Sequence, residues 1–291
     1  MNARRSSRAM TAAALAALLA SSATAKLVGG QVEHRPASDP AAEVAQLGKA
    51  SGKTPGTVWL AWTVPARGGE TICGFGHGSS AWGMSLEDDE SSWGSRDGAP
   101  AIATTTVEVY AAVRDGRVRQ LRFASEGCPV RAGDRRVVWL DGVAPAASVE
   151  LLARLAERRA GAQAQPELDE LAQRALAGLA FHADPTAPLA LVHLGREGAS
   201  EELRAQSLFW LAQTGDPSAA RWIREAIARD PAQEVREQGV FALSQLDEGT
   251  PELLALLRES ADREVKRQAL FWLGQSDDPR ATAELERLLT R

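Results

Sequence analysis

The chain has 291 residues, with 33 Lys and Arg against 38 Asp and Glu, giving a formal net charge of −5. Its 44% hydrophobic and 24% charged residues exclude a chain disordered throughout. Net acidity argues against a dedicated nucleic-acid binder, and two cysteines are too few for a disulfide-dense mini-scaffold or an all-cysteine zinc site.

Residues 1–25 read as a secretory signal peptide. Arg4, Arg5 and Arg8 make a cationic start, Met10 to Ala20 an apolar run, and Ala23-Thr24-Ala25 the small-x-small cleavage pattern. The apolar run has 11 residues, short of the ~20 that cross a bilayer. Removing the segment takes away three Arg and no acids, leaving 30 bases against 38 acids, a net −8. No later window approaches 18 apolar residues, so the mature chain is expected to have no membrane span and to be periplasmic or secreted. In that oxidising setting Cys73 and Cys128 are natural disulfide partners, 55 positions apart. The chain-entropy model assigns such a loop roughly 4 kcal/mol. The rival reading is a metal site, because Cys73 and His77 have C-x3-H spacing; no second close pair of ligands accompanies them.

Residues 26–55 are Ala, Gly, Pro and polar types with weak periodicity and read mainly as a tether, with a short helix over Ala41 to Leu47. Thr57 to Val64, rich in β-branched and aromatic residues, predicts a strand, and Thr71 to Phe75 a second. Residues 83–100, with Glu87-Asp88-Asp89-Glu90, predict a long acidic loop. Thr104 to Val113 is the clearest strand, with Val107, Val109, Ala111 and Val113 on one side and Glu108 and Tyr110 on the other. Asp115-Gly116 suits a two-residue hairpin turn, with Arg117 to Phe123 returning as partner. Arg135 to Leu140 predicts another strand, and Pro145 to Arg158 a helix with Val149, Leu152 and Leu155 on one face. Residues 56–160 are thus expected to form a small antiparallel β domain with a C-terminal helix.

From residue 165 onward the chain repeats. Segments starting at Leu171, Leu203, Val235 and Val265 align, with spacings of 32, 32 and 30 residues. Leu203-Arg-Ala-Gln-Ser-Leu-Phe-Trp-Leu211 matches Val265-Lys-Arg-Gln-Ala-Leu-Phe-Trp-Leu273. Asp184-Pro185, Asp216-Pro217 and Asp278-Pro279 mark turns to a second helix, while Asp230-Pro231 and Asp262 precede the third and fourth units, as N-terminal capping requires. The third unit departs by its longer turn, Asp247 to Pro251. The recurring Val/Leu-Arg/Lys-x-x-Ala/Ser start resembles the short bacterial HEAT-like repeats of the phycobilisome-lyase type, over roughly 165–291. The resemblance implies an α-α superhelix used for protein contacts; it implies no lyase chemistry. The expected fold class is α+β, a β domain followed by a four-unit helical solenoid.

At 100° per residue, Val265, Ala269, Trp272 and Leu273 share one stripe, the expected core. Small residues four positions in (Ala175, Ser207, Gly239, Ala269) would let the second helix approach closely, and Trp210, Ala242 and Trp272 take one core slot. A second stripe carries Gln206, Gln238 and Gln268, then Phe209, Phe241 and Phe271, then Gln213, Gln245 and Gln275. The first unit has Arg174, Ala177 and Phe181 there instead, as a capping repeat would. Two readings stand: Phe packs between neighbouring first helices while Gln bonds along the stack, or the band is a partner-binding surface. Arg204, Arg236 and Lys266 form a further register, expected to reach Asp residues of neighbouring turns.

There is no G-x-S-x-G, H-E-x-x-H, Walker or Rossmann motif. Gly74-Phe75-Gly76-His77-Gly78-Ser79-Ser80 is the one loop in which an imidazole and a hydroxyl fall close, the basis of an alternative reading as an envelope hydrolase or metal-dependent enzyme. Arg114, Arg117, Arg119, Arg122, Arg131, Arg135 and Arg136 crowd the hairpin, either for an anionic partner or as charged edge protection. The expectation is an exported, non-enzymatic binding or scaffold protein with no cofactor, recognising a protein or peptide.

Overall fold

The computed structural model describes residues 27–50, 56–68, 79–80, 83–87, 105–157 and 170–290. The signal segment 1–25, the expected strand 71–75, Cys73, His77 and the acidic run 88–90 lie outside the described residues. Of the Gly-rich loop only the backbone of residues 79–80 falls within them.

The protein is α+β. Seven strands, β1 (Leu27–Pro36), β2 (Val58–Pro65), β3 (Ser79–Ser80), β4 (Gly83–Ser85), β5 (Thr106–Arg114), β6 (Arg117–Ser125) and β7 (Val130–Asp141), form one sheet. Helix α1 (Pro40–Ala50) follows β1, and α2 (Pro145–Ala156) follows β7. The sheet is mixed, where the spacing of the strand patterns suggested an antiparallel one. β5 pairs antiparallel with both β2 and β6, but β1, β2 and β4 all run parallel to β7. The stretch expected as a tether supplies β1, whose residues Gln31 to Pro36 pair one by one with Arg136 to Asp141. Its backbone groups are thereby satisfied by the ladder, which weak side-chain periodicity does not forbid. The hairpin turn is as expected: Asp115 and Gly116 have φ of 53° and 66°, the positive pair that matches strand twist.

Alternation along β5 sends Val107, Val109, Ala111 and Val113 into a core that runs from the sheet into the helices. The opposite face is buried as well. Glu108 and Tyr110 lie there beside Trp59, Ala112 and Trp139, and the Tyr110 hydroxyl donates to the Glu108 carboxylate at 2.6 Å.

Eight helices complete the chain: α3 (Glu170–Phe181), α4 (Thr186–Glu197), α5 (Glu201–Ala212), α6 (Ala219–Arg229), α7 (Gln233–Ser244), α8 (Gly249–Glu259), α9 (Arg263–Gly274) and α10 (Pro279–Leu289). They pair as four helix-turn-helix units. First helices α3, α5, α7 and α9 pack in succession, α4 meets α6, and α8 meets α10. Asp-Pro turns act as the sequence indicates: Asp184, Asp216 and Asp278 each accept a backbone N–H two residues on, at 2.8–2.9 Å. Ser200 and Asp262 cap α5 and α9. The small residues admit a helix, but it is the second helix of the preceding unit. A Cβ on Gly239 would sit 2.6 Å from Ile227 Cγ1 of α6, and Gly195 of α4 lies against Ser207.

The first unit docks on the sheet. Arg174 is buried, donating to the Leu121 carbonyl at 3.1 Å and pairing with Glu170. Gly178 leaves room for the Phe123 ring, and the Arg67 N–H donates to the Phe181 carbonyl at 3.0 Å. A sealed polar string ties β2, α2 and α3 together. The Trp62 indole N–H donates to Ser148 Oγ at 2.9 Å, Ser148 Oγ lies 2.9 Å from His182 Nε2, and His182 Nδ1 lies 2.7 Å from the Gly178 carbonyl. A carbonyl only accepts, so Nδ1 carries the proton and Nε2 accepts from the serine.

Candidate binding surface

The nine residues of the Gln-Phe-Gln pattern come together along the first helices. Phe209, Phe241 and Phe271 occupy the same position on α5, α7 and α9, and Gln213, Gln245 and Gln275 are the C-cap residues of those helices. Phe209 and Phe241 stack with ring centroids 5.9 Å apart and planes 1° from parallel. Phe241 meets Trp272 at 4.9 Å, and Phe271 meets the same indole edge-on at 5.0 Å. At the other end Phe209 meets Trp210 at 5.1 Å, Trp210 meets Phe181 at 6.3 Å, and Phe181 meets Phe123 of the sheet at 5.6 Å. Seven rings thus form one unbroken row from β6 to α9, most in the edge or offset geometries that aromatic quadrupoles favour.

The row is neither sealed nor fully presented. Phe181, Phe209, Trp210, Phe241 and Trp272 are half-buried, and Phe271 is 52% exposed with Leu270 beside it at 40%. The two tryptophans fill the core slot that the wheel assigned them only in part: both pack against the main core yet stay half-buried. Each follows a band phenylalanine by one residue, 100° round the helix, so an adjacent Phe-Trp straddles the boundary of the stripe. Their signal was the repeated Phe-Trp pair itself. Ala242, at the same register in the third unit, is fully buried.

The glutamines do not form a stack-long ladder. Gln245 donates to Ser244 of its own helix at 3.1 Å, Gln268 contacts Glu264 of its own helix, and no described hydrogen bond joins one band glutamine to the next unit. Gln213, Gln245 and Gln275 are exposed. The amides therefore border the aromatic row with donors and acceptors open to solvent.

Inter-unit polar bonding is carried instead by arginine. Arg204 grips Asp230 through Nε at 2.7 Å and Nη2 at 3.1 Å, and adds the Gly198 carbonyl at 3.1 Å. Arg236 repeats this on Asp262 at 2.9 Å, with the Asp230 and Pro231 carbonyls. Lys266 holds the third position without such a partner among the described residues. Burial opposes the charge on Asp230, yet the Arg204 bond and the Ala232 N–H outweigh it and hold its pKa below the ordinary value. Second helices carry a parallel set, Arg196 to Glu225, Arg224 to Glu252 and Arg258 to Glu284. The groove of about 480 Å³ between the first two units is lined by these same paired charges, Arg196, Arg204, Glu225, Arg229 and Asp230, so its polarity is internally matched.

Cys128 is buried, and among the described residues no cysteine is free. No described helix is long and apolar enough to cross a membrane. No protein-family model and no curated protein matches the chain.

Proposed function

We propose that this is an exported, non-enzymatic protein that captures a protein or peptide along its HEAT-like helical solenoid, through the band formed by Gln206, Phe209, Gln213, Gln238, Phe241, Gln245, Gln268, Phe271 and Gln275. The observation that carries the proposal is the half-exposed row of rings on α5, α7 and α9, edged by the exposed amides of Gln213, Gln245 and Gln275. A preformed apolar strip with a polar border gives a partner contact area without ordering the receptor first. The solenoid reading is supported by the 32-residue spacing and the succession of first helices, and export by residues 1–25. In an oxidising compartment Cys73 and Cys128 form a disulfide; the burial of Cys128 and its not being free support that pairing.

The test uses the secreted form as bait on extracts of the compartment it is exported to. Phe271→Ser and the triple change of Phe209, Phe241 and Phe271 to Ser are compared with wild type, with far-UV circular dichroism as the folding control. Loss of a specific captured partner in the triple variant, at unchanged helicity, is expected. Unchanged capture by a folded triple variant overturns the proposal. Phe271→Ser guards against a melted triple variant, because its ring is the most exposed of the row.

A further inference from the structure

A second concavity lies on the sheet, on the face turned from the helices, and nothing in the reading above uses it. Its volume is about 370 Å³, the size of pockets that hold small molecules. Trp59, Leu86 and Ala112, all buried, form its floor. The Arg122 guanidinium stands 5.1 Å from the Trp59 ring centroid and fixes that ring in place. Around the floor stand Arg114 at the end of β5, Arg119 on β6 and Arg135 on β7. The Thr57 hydroxyl and the Gln120 amide complete the rim. No described carboxylate lines the pocket, in a chain where acids outnumber bases 38 to 33.

The local electrostatics favour an anion: Arg114, Arg117, Arg119 and Arg135 are exposed cations gathered in one place. Arg114 lies directly opposite Arg117 in the β5–β6 register, an arrangement of like charges that destabilises a sheet. Neither Arg114 nor Arg119 has an ion pair among the described residues. Arg135 donates only to the Glu87 carbonyl, at 3.3 Å. This differs from the helical part, where arginines such as Arg204, Arg236 and Arg258 meet carboxylates. Edge protection accounts for Arg119 alone, on the edge strand β6; Arg114 and Arg135 lie on β5 and β7, interior to the sheet order, and the three guanidiniums surround a concave floor. Guanidinium forks match the paired oxygens of phosphate and carboxylate.

We propose that the pocket between β2, β5, β6 and β7 binds a small organic oxyanion, a phosphate monoester or polycarboxylate of charge near −2, through Arg114, Arg119 and Arg135, with its compact body on Trp59 and Leu86. The class of ligand is set by three forked cations over a mainly apolar floor.

Isothermal titration of the full chain with inorganic phosphate and, separately, with citrate distinguishes the two oxyanion sources. Saturable binding of at least one probe with Kd below about 1 mM is expected near physiological salt. Arg114→Ala with Arg119→Ala is expected to weaken it about tenfold or more, and Arg135→Gln several-fold. Arg229→Ala removes an exposed cation from α6, away from the sheet, and is expected to change nothing. Near-UV circular dichroism checks that the pocket variants keep their tryptophan packing. Absence of binding by both probes below about 1 mM overturns the proposal. So does an equal loss in Arg229→Ala, which would make the effect one of net charge, or binding confined to acidic polypeptides.

Discussion

The string Trp62–Ser148–His182 brings a hydroxyl within 2.9 Å of an imidazole nitrogen, but all three side chains are closed to solvent. Its role is to satisfy three buried polar groups while joining a strand to two helices. Burial lowers the His182 pKa to about 4, against the Gly178 bond, which raises it. The unfolded chain binds its proton near pH 6.5, whereas the folded protein keeps this imidazole neutral until about pH 4. Unfolding therefore takes up a proton across that window. The stability is full above pH 6.5 and declines as pH falls towards 4, by about 3 kcal/mol at most. Denaturant titrations at pH 7 and pH 4.5 measure it, and His182→Gln is expected to flatten this part of the dependence at some cost in absolute stability. Ser148→Ala leaves the Trp62 N–H and His182 Nε2 without partners and is expected to cost about 1–3 kcal/mol at neutral pH. Gly239→Ala puts a methyl 2.6 Å from Ile227 Cγ1. A cost of about 1–3 kcal/mol, seen as a lower denaturation midpoint at constant slope, is the expected result.

Between elements, the recurrent device is an arginine of one first helix reaching the aspartate that opens the next. Asp230 accepts from Arg204 and from the Ala232 N–H at 2.9 Å, and Asp262 accepts from Arg236 and caps α9. One carboxylate thus sets both the start of a helix and its attachment to the unit before it. Arg204→Lys retains the charge but loses the fork, so it is expected to destabilise by about 1 kcal/mol, and Arg204→Ala by about 2 kcal/mol, measured by thermal melting at pH 7. Both aspartates have folded pKa values below the ordinary 3.8. Their contribution is present above about pH 4 and lost as pH falls below it, a range distinct from that of His182. The helices and this register were legible because caps, Asp-Pro turns and a 32-residue period are local signals. The strand pairings were not, because a partner for β1 or β7 is chosen by packing far along the chain. β1 carries no alternation that would announce it: seven of its ten residues are exposed, and its hold is backbone pairing with β7.

Across the whole molecule one hydrophobic core extends from Leu60 and Val109 in the sheet to Leu273 and Ala281 in the last unit. The boundary expected near residues 160–165 is crossed by Arg174, Gly178 and His182, so the sheet and the first helical unit should unfold together. Tryptophan fluorescence and helical ellipticity are expected to report coincident midpoints for that part; a clearly separate melt of α3 from the sheet would contradict the coupling. The candidate surface was half legible. Aligning the repeats finds Phe209, Phe241 and Phe271, but the wheel places Trp210 and Trp272 in the core alone, whereas they pack against the core and join the ring row as well, since it cannot tell how widely neighbouring helices are spaced. The second buried face of the sheet was hidden for a related reason: Glu108, Tyr110 and Arg122 alternate with valines and leucines as solvent-facing residues do, yet all three are buried.

The arginine rungs also give the helical array a mechanical character. Each unit leans chiefly on the units beside it, so tension applied at the carboxyl end meets one junction at a time: Arg258–Glu284 with Arg236–Asp262 first, then Arg224–Glu252 with Arg204–Asp230, then Arg196–Glu225. Pulled in an optical trap, the chain should lengthen in a sawtooth, each tooth releasing a contour of roughly 100 Å, the extended length of one ~30-residue unit less its folded span.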